Sequence, residues 1–282
     1  METLFFQNGS VRLHAVALGP QGGPVVVLLH GFPEFWYGWH AQIEPLAAAG
    51  FRVIVPDQRG YNLSSKPSGA AAYALTELVS DVMTIADELG REKIFLVGHD
   101  WGAAVAWSAA LLHPQRIAKL VVINVPHPSV MRRFVMKRAR QMIRSWYIFF
   151  FQLPYMPEAF FSAFDFRVGA RSLVRSSRPG TFSPEDLAQY RAAWSQPGAL
   201  TAMINWYRAL FRYRVKFPDR TVRAPTRILW GERDAFLLAE MAQESLRYCA
   251  SAELFTFANA SHWLQHEEPA RVSELLIDFF RS

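Results

Sequence analysis

The stretch "LVGHDWGAAVAW", residues 96–107, decides the fold. It opens with aliphatic residues, brackets an aspartate between Gly98 and Gly102, and runs on into alanines and further apolar side chains. That order reads as a buried strand turning abruptly into a helix, with glycines relieving crowding at the turn and Asp100 projecting from the strand end. A serine at such a turn attacks a carbonyl carbon. A carboxylate can instead displace a leaving group from saturated carbon, leaving an alkyl ester of the protein.

Similar aliphatic runs recur on both sides: "VVVLLHG" from Val25, "FRVIVPD" from Phe51, "KLVVINVP" from Lys119, "TRILWGERD" from Thr226 and "ELFTFANASH" from Glu253. Most are continuous rather than alternating, as strands covered on both faces are. Helix-compatible segments lie between several of them. "TELVSDVMTIADELG" has Thr76 as its expected cap and Gly90 as its stop. Strands alternating with helices predict an α/β fold built on a mostly parallel sheet flanked by helices. The opening "TLFFQNGSVRLHAVAL", with Asn-Gly at its turn, adds an antiparallel hairpin at one edge.

From Pro128 to Val222 the alternation stops and amphipathic stretches rich in Arg, Trp, Phe and Tyr take over. The expected division is a core in two parts, residues 1–127 and 223–282, with an inserted α-helical cap over 128–222. Ser183 followed by Pro184, Glu185 and Asp186 is a helix start, because the hydroxyl caps and proline suits the first turn.

The 282 residues are 51% hydrophobic, enough to bury a sizeable core. The N-terminus lacks a basic start followed by an apolar run, so a cytoplasmic location is expected. The single Cys249 excludes an internal disulfide and a cysteine metal cluster, and is expected to be buried. The net charge of +6 raises the question of an acidic partner. Arg132, Arg133, Lys137, Arg138, Arg140 and Arg144 crowd one segment, with 133, 137, 140 and 144 at helical spacing. The expectation is one solvated basic helix face; the alternative is docking of that face, with the aromatic stretch after it, on membrane lipid. Nucleic acid is not expected as a partner, and either a monomer or a homodimer fits.

Asp100, Asp234 and His262 each end a strand-like run, in the chain order nucleophile, acid, histidine. With "HGFPEFWYGW", "DQRGYNLSSKP", "GHDWGAAVAW", "NVPHP", "NWYRA" and "SHWLQHEEP", the chain resembles the α/β-hydrolase-fold epoxide hydrolases along nearly its whole length. The resemblance implies that a hydrophobic epoxide and water become a vicinal diol through an aspartyl ester on Asp100. His262, oriented by Asp234, would activate the water, and backbone N–H groups at Phe32 and Trp101 would hold the oxyanion. No metal or organic cofactor is required.

The leaving group separates epoxide from halide chemistry. An alkoxide needs a proton donor, and a phenol can supply it. Tyr207 in "NWYRA" matches the family's ring-opening tyrosine, whereas the usual second tyrosine is replaced at Phe150-Phe151-Gln152. Tyr147, one helical turn earlier, is the substitute considered. Phe150, Trp206 and Trp146 are expected to form pocket wall, with His30, Pro33, Glu34 and His99 supporting the loops. Glu34 as a surface carboxylate is an equal alternative. Two rival functions stand beside epoxide hydrolysis: a haloalkane or haloacid dehalogenase with the same Asp-His-Asp set, and a non-catalytic small-molecule-binding homologue. Against the first, Phe32 stands where many haloalkane dehalogenases place an asparagine.

Overall fold

In the strand Val25–Leu29, Val25, Val27 and Leu29 enter one apolar layer while Val26 and Leu28 enter another. Side chains alternate along a strand, so a run without polar residues requires cover on both faces. The computed structural model describes residues 1–282 and meets that requirement with helices on each side. Burying each such aliphatic side chain is worth about 1.5–3 kcal/mol, so neither face can be left open.

The strands are β1 Glu2–Asn8, β2 Val11–Leu18, β3 Val25–Leu29, β4 Arg52–Pro56, β5 Ile94–His99, β6 Ile117–Ile123, β7 Thr226–Gly231 and β8 Ala252–Phe257. They form one sheet in the order β1-β2-β4-β3-β5-β6-β7-β8. β1 pairs antiparallel with β2, and β2 antiparallel with β4; the remaining pairs are parallel. The expected edge hairpin is present and turns through Gly9, whose φ of 58° suits glycine.

Helices α1 His40–Ala48, α2 Leu75–Glu88 and α3 Trp101–Leu112 lie between the first strands. Between β6 and β7 run α4 Pro128–Lys137, α5 Ala139–Arg144, α6 Trp146–Phe150, α7 Met156–Ser176, α8 Pro184–Trp194 and α9 Ala199–Arg212. α10 Glu240–Ser245, α11 Leu264–Glu267 and α12 Pro269–Arg281 complete the chain. α2 and α3 pack together, as do α1 and α12. No helix is long and apolar enough to cross a membrane.

Ser183 caps α8 in a reciprocal box with Asp186. Three local expectations fail. Thr76 does not cap α2, because a short 3₁₀ turn at Ala70–Tyr73 delivers the chain to an extended Ala74 and the helix has already begun at Leu75. The basic residues from Arg133 to Arg144 do not share one helix face: Arg138 is extended and separates α4 from α5, and Arg144 turns inward to donate to the carbonyls of Asp234 and Leu237. Cys249 is half-buried rather than enclosed.

Candidate active site

Asp100 sits between the last residue of β5 and the first of α3, with φ 49° and ψ −123°. An L-residue held there costs of order 1–3 kcal/mol, and the surrounding backbone must enforce it. The enforcement is close packing. A Cβ on Gly98 would lie 2.3 Å from the Gly102 carbonyl oxygen, and one on Gly102 would lie 2.2 Å from that of Leu29. The strand-to-helix turn therefore presses against β3, and both flanking positions exclude any side chain.

The turn aims the Asp100 carboxylate at the loop after β3. The Phe32 N–H donates to Oδ1 at 2.8 Å. Trp101 opens α3, so its N–H is among those that a helix leaves without an intrahelical acceptor. Oδ2 points the other way and lies 3.5 Å from His262 Nε2. The two oxygens are thus distinguished: one is held by backbone, the other faces the imidazole.

His262 Nδ1 is 2.7 Å from Asp234 Oδ2. Asp234 follows β7, and its Oδ1 accepts from the N–H groups of Phe236 and Leu237. Asn124, at the end of β6, also donates to Asp234 Oδ2, at 2.8 Å, while its own Oδ1 accepts the Gly231 N–H at 3.0 Å. Asn124 opens the "NVPHP" motif, but nothing local in the sequence marks it as a site residue; its φ of 54° suits asparagine better than most residues. Burial disfavours a charged His262, but Asp234 and Asp100 outweigh it and push its pKa up to about 10. Burial likewise opposes ionisation of Asp100, yet His262 brings its carboxyl below the usual range.

Over the carboxylate lies a cavity of about 190 Å³ with mostly apolar walls. Asp100, His262, Tyr207 and Tyr147 all line it, together with Phe150, Trp146, Phe32 and Pro33. The two phenol rings are neighbours, with centroids 6.0 Å apart. Burial first, then the charge of Asp100, raises the pKa of both Tyr207 and Tyr147 above the ordinary phenol value. Trp206 does not line the cavity. One residue before Tyr207 on α9, it points to the opposite side, where its indole N–H donates to the Arg59 carbonyl at 3.0 Å and its ring backs Trp101.

Beneath the loop, Glu34 is 1% exposed, so it is not a surface carboxylate. Tyr190 of α8 and His266 contact its Oε1 at 2.8 and 2.7 Å; His99 and Gln265 contact its Oε2, each at 3.1 Å. Burial alone would raise the Glu34 carboxyl, but His266 and His99 hold it well below the usual carboxylate range. His99 Nε2 reaches the carbonyl of His262 at 2.8 Å. His30 is fully buried, and its Nε2 accepts the Gln58 N–H at 3.0 Å. His266, Tyr190 and Gln265 carry no local sequence signal for this role, because each acts through Glu34, more than 150 residues away.

The sequence pattern of the alpha/beta hydrolase fold matches residues 24–269. The chain therefore belongs to the α/β-hydrolase family. It is 44% identical to the AB hydrolase superfamily protein YfhM of Bacillus subtilis, across 99% of this chain and 97% of that protein. It is 39% identical to Epoxide hydrolase 4 of Homo sapiens, across 98% of this chain and 77% of that protein. Among solved structures, a Bacillus megaterium epoxide hydrolase in complex with an inhibitor superposes with a TM-score of 0.91 at 29% identity, covering 99% of this chain and all of that one. Epoxide Hydrolase A from Mycobacterium thermoresistibile gives 0.87 at 31% identity, covering 100% and 98%.

Proposed function

We propose that the protein hydrolyses hydrophobic epoxides to vicinal diols through an ester on Asp100. The observation that carries this reading is the convergence of one carboxylate, one imidazole and two un-ionised phenols on a single apolar cavity. The sequence likeness to epoxide hydrolases supports it.

Asp100 Oδ2 attacks a ring carbon, the carbon–oxygen bond breaks, and Tyr207 or Tyr147 gives its proton to the departing oxygen. At rest, His262 is charged between two carboxylates. Esterification removes the Asp100 charge, so the imidazolium loses one of its two partners and can return a proton to the tyrosinate. The neutral imidazole, steered by Asp234, then takes a proton from water as that water attacks Cγ of Asp100. Oδ1, already bonded to the Phe32 N–H, carries the oxyanion, with Trp101 N–H as the second donor. Collapse releases the diol alkoxide, which is protonated by His262, and the proton lost by the regenerated carboxyl stays on the imidazole. Atoms and protons balance. The helices over 128–222 act as a cap that supplies both phenols. Halide loss needs no proton, so two phenols favour an epoxide over an alkyl halide.

The test is one turnover of styrene oxide in oxygen-18 water. Unlabelled diol with label retained in Asp100 is expected, since the first oxygen comes from the carboxylate. Labelled diol in that first turnover excludes the ester route.

A further inference from the structure

The segment from Gln141 to Phe151 turns an apolar stripe outward. Gln141, Ser145, Ile148 and Phe151 are buried, whereas Met142, Ile143, Trp146 and Phe149 are 51–69% exposed. A solvated helix turns its apolar residues inward, so an outward apolar stripe of this kind needs something to cover it. The stripe extends sideways. Phe149 lies 5.8 Å from Phe211 at the end of α9, and Phe150 lies 5.8 Å from Phe160 on α7. Trp146 and Phe160 are more than half exposed and also line the cavity, so the cavity reaches the surface within this stripe.

Charge frames it. Residues 128–222 contain sixteen Lys and Arg against five Asp and Glu, a net +11, so the rest of the chain carries −5 of the +6 total. Arg132 on α4 and Lys137 and Arg138 at the α4–α5 junction stand exposed, as do Arg212, Arg214 and Lys216 in the chain just after Phe211. None of these six is in an ion pair, whereas their neighbours Arg133 and Arg208 are paired with Glu244 and Glu158.

We propose that the outward face of α5 and α6, with the adjoining ends of α4 and α9, docks on an anionic lipid surface. The apolar stripe enters the acyl boundary and the flanking cations meet lipid phosphates. A second copy fits poorly, because a two-fold contact would oppose two strongly cationic faces. Nucleic acid offers nothing to cover the apolar centre. Resting on the proposed function, docking places the cavity opening against the phase in which a lipophilic epoxide dissolves; the docking itself does not depend on catalysis.

The test is co-sedimentation of the full chain with phosphatidylcholine vesicles, with and without phosphatidylglycerol, at low and high salt. Binding only with phosphatidylglycerol and lost at high salt is expected. The triple variant Arg132→Glu, Lys137→Glu, Arg138→Glu should bind at least about tenfold more weakly, because each cation near the surface contributes separately. A matched triple on the core, Arg12→Glu, Arg271→Glu, Arg281→Glu, should bind as the wild type does. The pair Met142→Ser, Ile143→Ser should weaken binding at unchanged charge. Hydrolysis of styrene oxide in vesicle-free buffer should be unaffected in all three variants, which separates failure to dock from failure of the enzymatic reading. No vesicle binding at low salt, equal loss in both charge triples, or a concentration-dependent dimer that shields Ile143 from solvent would overturn the proposal.

Discussion

His262 Nε2 faces Asp100 Oδ2 at 3.5 Å while the other ring nitrogen holds Asp234 at 2.7 Å, so the imidazole lies between two carboxylates. A folded-state pKa of about 10, above the ordinary 6.5, means that folding takes up a proton between those values. The stability this contributes is complete below about pH 6.5 and is lost as pH rises toward about 10. The urea midpoint should fall across that interval in the wild type. In His262→Gln the fall should largely vanish, and in Asp100→Asn it should end at a lower pH, because one of the two partners is gone. An equal fall in all three proteins would mean that the imidazole is not charged between the carboxylates.

Two phenols on one cavity predict redundancy in ring opening. If Tyr207 and Tyr147 address the same oxygen, either one replaced by phenylalanine should lower kcat by about 10–100-fold. The double variant should lose at least about 10⁴-fold, with a smaller change in KM. Single-turnover rates of ester formation are the measurement. A Tyr147→Phe enzyme with unaltered ester formation would leave Tyr207 as sole donor.

The strands and the turn at Asp100 were legible because they are written in residue type: unbroken aliphatic runs signal two-sided burial, and Gly98 and Gly102 signal close backbone approach. Ser183 was legible for the same reason, since its box closes within four residues. The failures share a different cause. Thr76 is displaced by the path of the preceding turn, and Arg144 is drawn from the basic face by the carbonyl of Asp234, 90 residues along the chain. Trp206 sits beside Tyr207, yet adjacent helix positions diverge by about 100°, so one enters the cavity and the other faces Arg59. Asn124 and the partners of Glu34 are defined by contacts that only the folded sheet brings together.

Asn124 predicts a coupling between backbone conformation and the histidine's orientation. Asn124→Ala removes the donor to Asp234 and the acceptor for the Gly231 N–H, and puts alanine, which tolerates positive φ less well than asparagine, at φ 54°. A destabilisation of about 2–4 kcal/mol is expected. Asn124→Gly loses the same hydrogen bonds without the backbone penalty and should be about 1 kcal/mol more stable than the alanine variant. Both should slow ester hydrolysis more than ester formation, since in the proposed mechanism water activation is the step that depends on the Asp234–His262 pair. Quenched-flow detection of accumulated ester on Asp100 checks this. Equal slowing of the two half-reactions would assign Asn124 a structural role only.

Glu34 predicts an acid-side dependence of the opposite sign. Its carboxylate is fully buried and receives Tyr190 and His266 on one oxygen and His99 and Gln265 on the other. Glu34→Gln replaces one acceptor oxygen by an amide N–H₂ and removes the charge that faces two imidazoles, so a loss of about 3–5 kcal/mol at about pH 7 is expected. Because the folded-state carboxyl is held below its ordinary 4.5, the contribution is present above that pH and declines as pH falls through it. The stability gap between wild type and Glu34→Gln should therefore narrow below about pH 4.5. Tyr190→Phe, which removes one donor and leaves the carboxylate three partners, should cost only about 1 kcal/mol. It should also loosen α8 against the loop that carries Phe32, raising KM for bulky epoxides more than it lowers kcat. A gap that stays constant with pH would mean that the charge of Glu34 does not stabilise the loop, and that its side chain acts by shape alone.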